Sequence, residues 1–164
     1  MPNFTGFDPK SLLTTTVRAK LDTRLPPFPL EEGDEFMFIC RSVDVKVVTA
    51  GPHAKTAGEQ YCFLSTVWEC LDEEVKRIMH IEHPTAKYEF LLEVDPQRGL
   101  EIGEAKNVKL GRLLEAVGIT SKEWSLSMIE GTTAYGKVKN RQDENNPEDT
   151  YPEITRMAAS PKRK

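Results

Sequence analysis

Tyr135, Lys137, Lys139 and Arg141 alternate along the chain as Tyr-x-Lys-x-Lys-x-Arg. On an extended strand successive side chains point to opposite sides, so this spacing puts one aromatic ring and three cations on a single face. An aromatic face lets any nucleobase stack, and a row of cations can follow a phosphodiester backbone. Together they are the chemistry of sequence-tolerant single-strand binding. Residues of the same types lie elsewhere: Tyr61 and Phe63 as stacking candidates, and Arg41, Lys46, Lys55, Lys76, Arg77 and Arg156 as phosphate partners. Aromatics at strand spacing are more often core than platform, and an isolated exposed lysine is commonly just solvated, so the four-residue row is the stronger signal.

Other chemistries find less support. No GxSxG, Walker-type or HExxH motif occurs, and the sequence predicts a binding protein rather than an enzyme. Cys40, Cys62 and Cys70 are odd in number, lack CxxC spacing and sit in apolar runs. They are expected to be buried, reduced thiols rather than disulfides or zinc ligands. His80-x-x-His83 comes nearest to a metal-ligand spacing, and Asp72-Glu73-Glu74 to a divalent-ion turn. Both read as solvated turn residues, and no metal or cofactor is expected.

The row has to be held by strands, and the sequence supplies them. Glu35–Val48 alternates first on Phe36, Phe38 and Cys40, then on Val43, Val45 and Val47. The change of parity at Arg41 and Ser42 predicts a β-bulge, since one extra residue re-aims every side chain after it. Gln60–Leu71, Val75–Ile81 and Tyr88–Val94 also alternate and are predicted as strands, with Asp72–Glu74 as a turn. Leu110, Leu113, Leu114 and Val117 form a one-sided stripe, predicting a helix over Asn107–Val117 with Asn107 as its cap and Gly118 as its stop. Ser121 reads as a second cap, opening a short turn through Trp124, Leu126 and Ile129. Gly131–Asn140 and Tyr151–Met157 then form a closing hairpin around the polar loop 140–149.

A helix followed by a hairpin, at the end of a strand-rich chain, is the order of a mainly β, OB-type five-stranded barrel with one plugging helix before the final hairpin. With 164 residues, 38% of them hydrophobic, the chain has material for one core. The expected organisation is an N-terminal arm over residues 1–28, rich in Thr and Pro, an OB-type domain over 29–157 and a basic tail over 158–164. No apolar run reaches the length of a membrane span and no leader pattern opens the chain, so a cytoplasmic protein is expected.

Net charge is −4, which excludes a polycation but not a local one. Pro29–Pro96 carries fourteen acidic against six basic residues, whereas Gln97–Gln142 carries eight basic against five acidic. The hairpin loop adds Asp143, Glu144, Glu148 and Asp149, and the chain closes on Lys162-Arg163-Lys164.

Four segments carry a resemblance: Leu30-Glu31-Glu32-Gly33-Asp34-Glu35-Phe36 before the long strand, Leu110–Ile119 in the helix, Ile129-Glu130-Gly131 leading to Lys137-Val138-Lys139, and Tyr151-Pro152-Glu153-Ile154. Over roughly residues 30–157 the chain resembles phage-encoded OB-fold single-stranded DNA-binding proteins found near replication and recombination genes. The resemblance implies single-stranded DNA as ligand, replication or recombination proteins as partners, and the host-cell cytoplasm as location. Self-association through a sheet edge or the arm is a further expectation. The alternative is an OB-type adaptor that binds protein, or a virion or regulatory component that binds no nucleic acid.

Overall fold

The computed structural model describes residues 4–21, 26–30, 35–146 and 149–159. Gly33, in the segment before the long strand, and residues 160–164 of the basic tail lie outside them. Strand β1 (Phe36–Thr49) buries Phe36, Phe38 and Cys40 and pairs antiparallel with β2 (Gln60–Cys70). The expected bulge is present: the register shifts between Cys40 and Ser42, leaving Arg41 as the extra residue. Val43 then replaces Cys40 on the inner side, half-buried against the core.

β3 (Thr85–Leu92) pairs with β2 and buries every second residue, Ala86, Tyr88, Phe90 and Leu92. A two-residue hairpin, β4 (Val94–Asp95) with β5 (Gly99–Leu100), separates it from the helix. The last two strands, β6 (Thr133–Gln142) and β7 (Thr150–Ala158), pair antiparallel, and β6 pairs with the start of β1. A parallel contact of Lys87 with Glu153 joins β3 to β7, so the order β1-β2-β3-β7-β6 closes in a ring. Among the described residues the chain is mainly β, with two α-helices.

One expected strand is a helix. Residues Glu73–Met79 form α1, whose N-terminus is capped by Asp72, with its carboxylate accepting from Glu74 N at 2.9 Å and Val75 N at 3.3 Å. Val75 and Met79, four apart, bury the inner side, and His80 ends the helix at φ 55°. The alternation of Val75, Arg77, Met79 and Ile81 fits a strand equally well, but the capping aspartate and the acidic first turn decide for the helix. Asp72–Glu74 is thus a helix start rather than an inter-strand turn.

The predicted long helix is present as α2 (Val108–Ala116), burying Leu110, Leu113, Leu114 and Ala116 and followed by Gly118 at φ 81°. Asn107 stands at the cap position, but its side chain does not cap. Its Nδ2 donates to the carbonyls of Glu93 (2.9 Å) and Glu101 (2.8 Å), and its Oδ1 accepts from Glu93 N (2.8 Å). The residue thereby ties the arms of the small hairpin to the start of the helix. A 3-10 turn over Leu126–Ile129 begins after Ser125 rather than at Ser121, and buries Ile129.

Two features draw the ring tight. Gly136 sits where a Cβ would lie 3.1 Å from Met157 Sδ and 3.2 Å from the Phe38 ring. Between Lys137 and Val138 the β6–β7 register shifts, which turns both Ile154 and Met157 inward although they are three apart. Trp68 is fully buried, and its indole donates to Thr66 Oγ1 at 2.7 Å, which in turn donates to the Tyr88 carbonyl at 2.7 Å. The two polar side chains beside the core ring are thus both partnered.

The N-terminal segment joins this core at its end. Phe28 is 1% exposed, packs edge-on to Phe36 at 5.0 Å and lies over Phe38 at 6.4 Å. Asn140 clasps its backbone, accepting from Phe28 N at 3.2 Å and donating to Phe28 O at 2.9 Å. Residues Phe4–Leu21, including a 3-10 turn at Pro9–Leu13, are exposed throughout. Cleavage after Lys20 is accordingly expected to leave a folded protein. Phe28→Ala should lower unfolding stability by about 3–5 kcal/mol in a urea titration; a loss below about 1 kcal/mol would show that this contact does not hold the fold.

Candidate nucleic-acid interface

The outer face of the β6–β7 hairpin is set by strand parity. With Ala134, Gly136 and Val138 turned to the core, Tyr135, Lys137, Lys139 and Arg141 must point out. Across the ladder, Lys137 lies opposite Arg156, Lys139 opposite Glu153 and Arg141 opposite Tyr151. Opposed residues share a face and lie about 5 Å apart, so four cations, two tyrosines and Glu153 form one patch. Tyr135 and Lys137 are half-buried, and Lys139, Arg141 and Arg156 are exposed. Arg141 is hydrogen-bonded to the Glu153 carboxylate, whereas Lys137, Lys139 and Arg156 make no ion pair with the described residues.

The other candidates are dispersed. Arg41, thrown outward by the bulge, donates from Nε to Glu69 at 3.1 Å. Lys46, opposite Phe63 on β2, is bonded to Glu89 at 3.3 Å. Tyr61 donates its hydroxyl to Glu59 at 3.0 Å, and both Tyr61 and Phe63 are half-buried. Lys55 is exposed in the loop between β1 and β2. Lys76 and Arg77 ride on α1, not on a strand, and pair with Glu73 and Glu74 one turn earlier. Of the twelve candidates, the structure therefore gathers Tyr135, Lys137, Lys139, Arg141 and Arg156.

Tyr151, 44% exposed beside Arg141, belongs to the same patch and was not among the sequence-derived candidates. Only the ladder register, which the sequence does not print, places it there. On its other side lies a groove of about 610 Å³, walled by Val67, Lys87, Glu89, Asp143, Tyr151 and Glu153. One cation faces three carboxylates in it, which disfavours an anion. Burial works to raise the Glu89 carboxyl, but hydrogen bonds from Ser65 and Lys46 and the charges of Lys46 and Lys87 outweigh it, so Glu89 sits below the ordinary carboxylate range.

Glu69 is the best-held carboxylate. The Arg41 hydrogen bond lowers it most, burial opposes, and His83 Nδ1 at 3.3 Å adds a second contact. Cys40 and Cys70 are buried, and desolvation pushes both thiols up to about 11, so they are neutral and unreactive at ordinary pH. Among the described residues no three His, Cys, Asp or Glu side chains gather as a metal site, and no helix is long and apolar enough to cross a membrane. No protein-family model matches this chain, and no curated protein sequence matches it significantly.

The Arg41–Glu69 pair gives a pH prediction. A carboxyl lowered in the folded state adds stability that is present above its ordinary value near 4.5 and lost as pH falls through the lowered one. In Arg41→Met the melting temperature should therefore lie below wild type at neutral pH, and the gap should close in acid. A gap that is constant with pH would show that Arg41 acts through packing rather than through Glu69.

Proposed function

We propose that this chain is an OB-type protein that binds single-stranded DNA without sequence preference. The observation that carries the reading is the β6–β7 face, where Lys137, Lys139 and Arg156 form no ion pair with a described carboxylate and lie between Tyr135 and Tyr151. The strand order β1-β2-β3-β7-β6, with α2 between the third and fourth ring strands, supports the OB-type reading. A setting in phage replication or recombination rests on the resemblance of residues 30–157 and on nothing further.

Sequence tolerance follows from the chemistry. The face offers rings and charges but no helix shaped to enter a major groove, and stacking is open to every base. The cation count bounds the electrostatics: three unpaired cations give a slope of log affinity against log salt of about −2. One observation favours the adaptor as a second reading. Phe4, Phe7, Leu12, Leu13, Val17 and Leu21 are all exposed along the arm, an apolar series suited to another protein.

Fluorescence anisotropy with labelled oligo-dT and with duplex separates the two readings. Single strands should bind more tightly, and equal affinity for duplex would sink the proposal. Lys137→Glu with Lys139→Glu should weaken oligo-dT binding strongly while changing stability by less than about 1 kcal/mol. Tyr135→Ala should weaken binding more at high salt than at low salt, because stacking survives screening and phosphate attraction does not.

A further inference from the structure

A second groove, of about 670 Å³, runs between α2 and β7, and its charge is the reverse of the first. Lys109 and Arg112, three apart on α2, are neighbours on the outer side of the helix, whose inner side is taken by Leu110, Leu113 and Leu114. Arg156 faces them from β7, and Glu115 is the one carboxylate among the described residues of the wall. Three cations thus meet one acid, in a chain whose net charge is −4. None of the three cations forms an ion pair with a described residue.

The groove also adjoins the hairpin face. Arg156 is the cross-strand partner of Lys137, so the cations run from Lys139 through Lys137 and Arg156 to Arg112 and Lys109. The wall offers no exposed ring to a base: its aromatic residue, Tyr88, is 8% exposed. Burial pushes the Tyr88 hydroxyl above its usual range, against the pull of Arg112, and keeps it a neutral donor. Cations and a phenol without a stacking surface suit a phosphodiester rather than a nucleobase.

Building on the single-strand reading, we infer that the sugar-phosphate backbone leaving the β6–β7 face continues into the α2–β7 groove, its phosphates held by Arg156, Arg112 and Lys109. The path follows cations that form no ion pair with a described residue. It turns away from the acidic groove between β3 and β7.

The test compares wild type, Lys109→Glu with Arg112→Glu, and Lys137→Glu with Lys139→Glu, by anisotropy on labelled oligo-dT of about 4 and about 16 nucleotides, the limits of common site sizes. The α2 reversal should weaken the long oligonucleotide on the order of tenfold and lower its salt slope by about 1.4, with little effect on the short one. Lys109→Gln with Arg112→Gln should lose less, in a protein that melts like wild type, which separates charge from folding. Wild-type affinity and slope in the α2 reversal would overturn the groove path and leave the hairpin reading standing. Loss in the α2 reversal with wild-type binding in the hairpin reversal would overturn the hairpin reading and keep the groove. A wild-type protein that binds neither length would overturn both.

Discussion

The first strand has two partners and cannot stay straight. At Phe38 and Ile39 it is paired with β6 on one side and β2 on the other, and beyond Ser42 it continues with β2 alone. The extra residue at Arg41 lets the strand bend out of the ring while keeping Phe36, Phe38 and Cys40 on the core side. Closure by β6 follows from that bend, and the close approach of Gly136 to Phe38 is its tightest point. The same closure fixes the hairpin's outward parity, and so the side on which Tyr135, Lys137 and Lys139 stand. Phe28, edge-on to Phe36, stacked on Phe38 and clasped by Asn140, locks the junction.

An acidic protein can still hold an anion if its charges are segregated over distances comparable to the screening length, about 8–10 Å in physiological salt. That segregation follows the strand order here. β2 and β3 carry Glu69 and Glu89 on their outer side, where Arg41 and Lys46 cover and neutralise them. The late strands and α2 carry Lys137, Lys139, Arg156, Lys109 and Arg112 with few acids between them. Net charge therefore hides the feature that matters, and a count by segment recovers part of it.

What the sequence shows is what local pattern can encode. The bulge in β1 is legible because parity changes within one strand, and α2 because its leucines repeat over two turns. The face of Lys137, Lys139 and Arg141 is legible for the same reason. α1 is not, since seven residues satisfy either period, and only Asp72 and the acidic first turn tip the balance. Arg41 and Lys46 look like free cations until β2 and β3 deliver Glu69 and Glu89, which lie 28 and 43 residues away. Tyr151 and Arg112 escape notice because their value depends on neighbours across a ladder or a groove.

The pairing of Arg141 with Glu153 weights the face unevenly. A phosphate reaching Arg141 must displace a carboxylate already bonded to it, so one anionic partner replaces another and the net gain is small. A phosphate reaching Lys137 or Arg156 displaces only water and counterions, and the release of those ions favours binding. On the single-strand reading, affinity would concentrate at the Lys137–Arg156 end of the hairpin, next to α2, and the acidic loop side would limit how far the bound strand extends. Tyr135 lies at the favoured end and Tyr151 at the other, which makes Tyr135 the ring on which a bound base would rest.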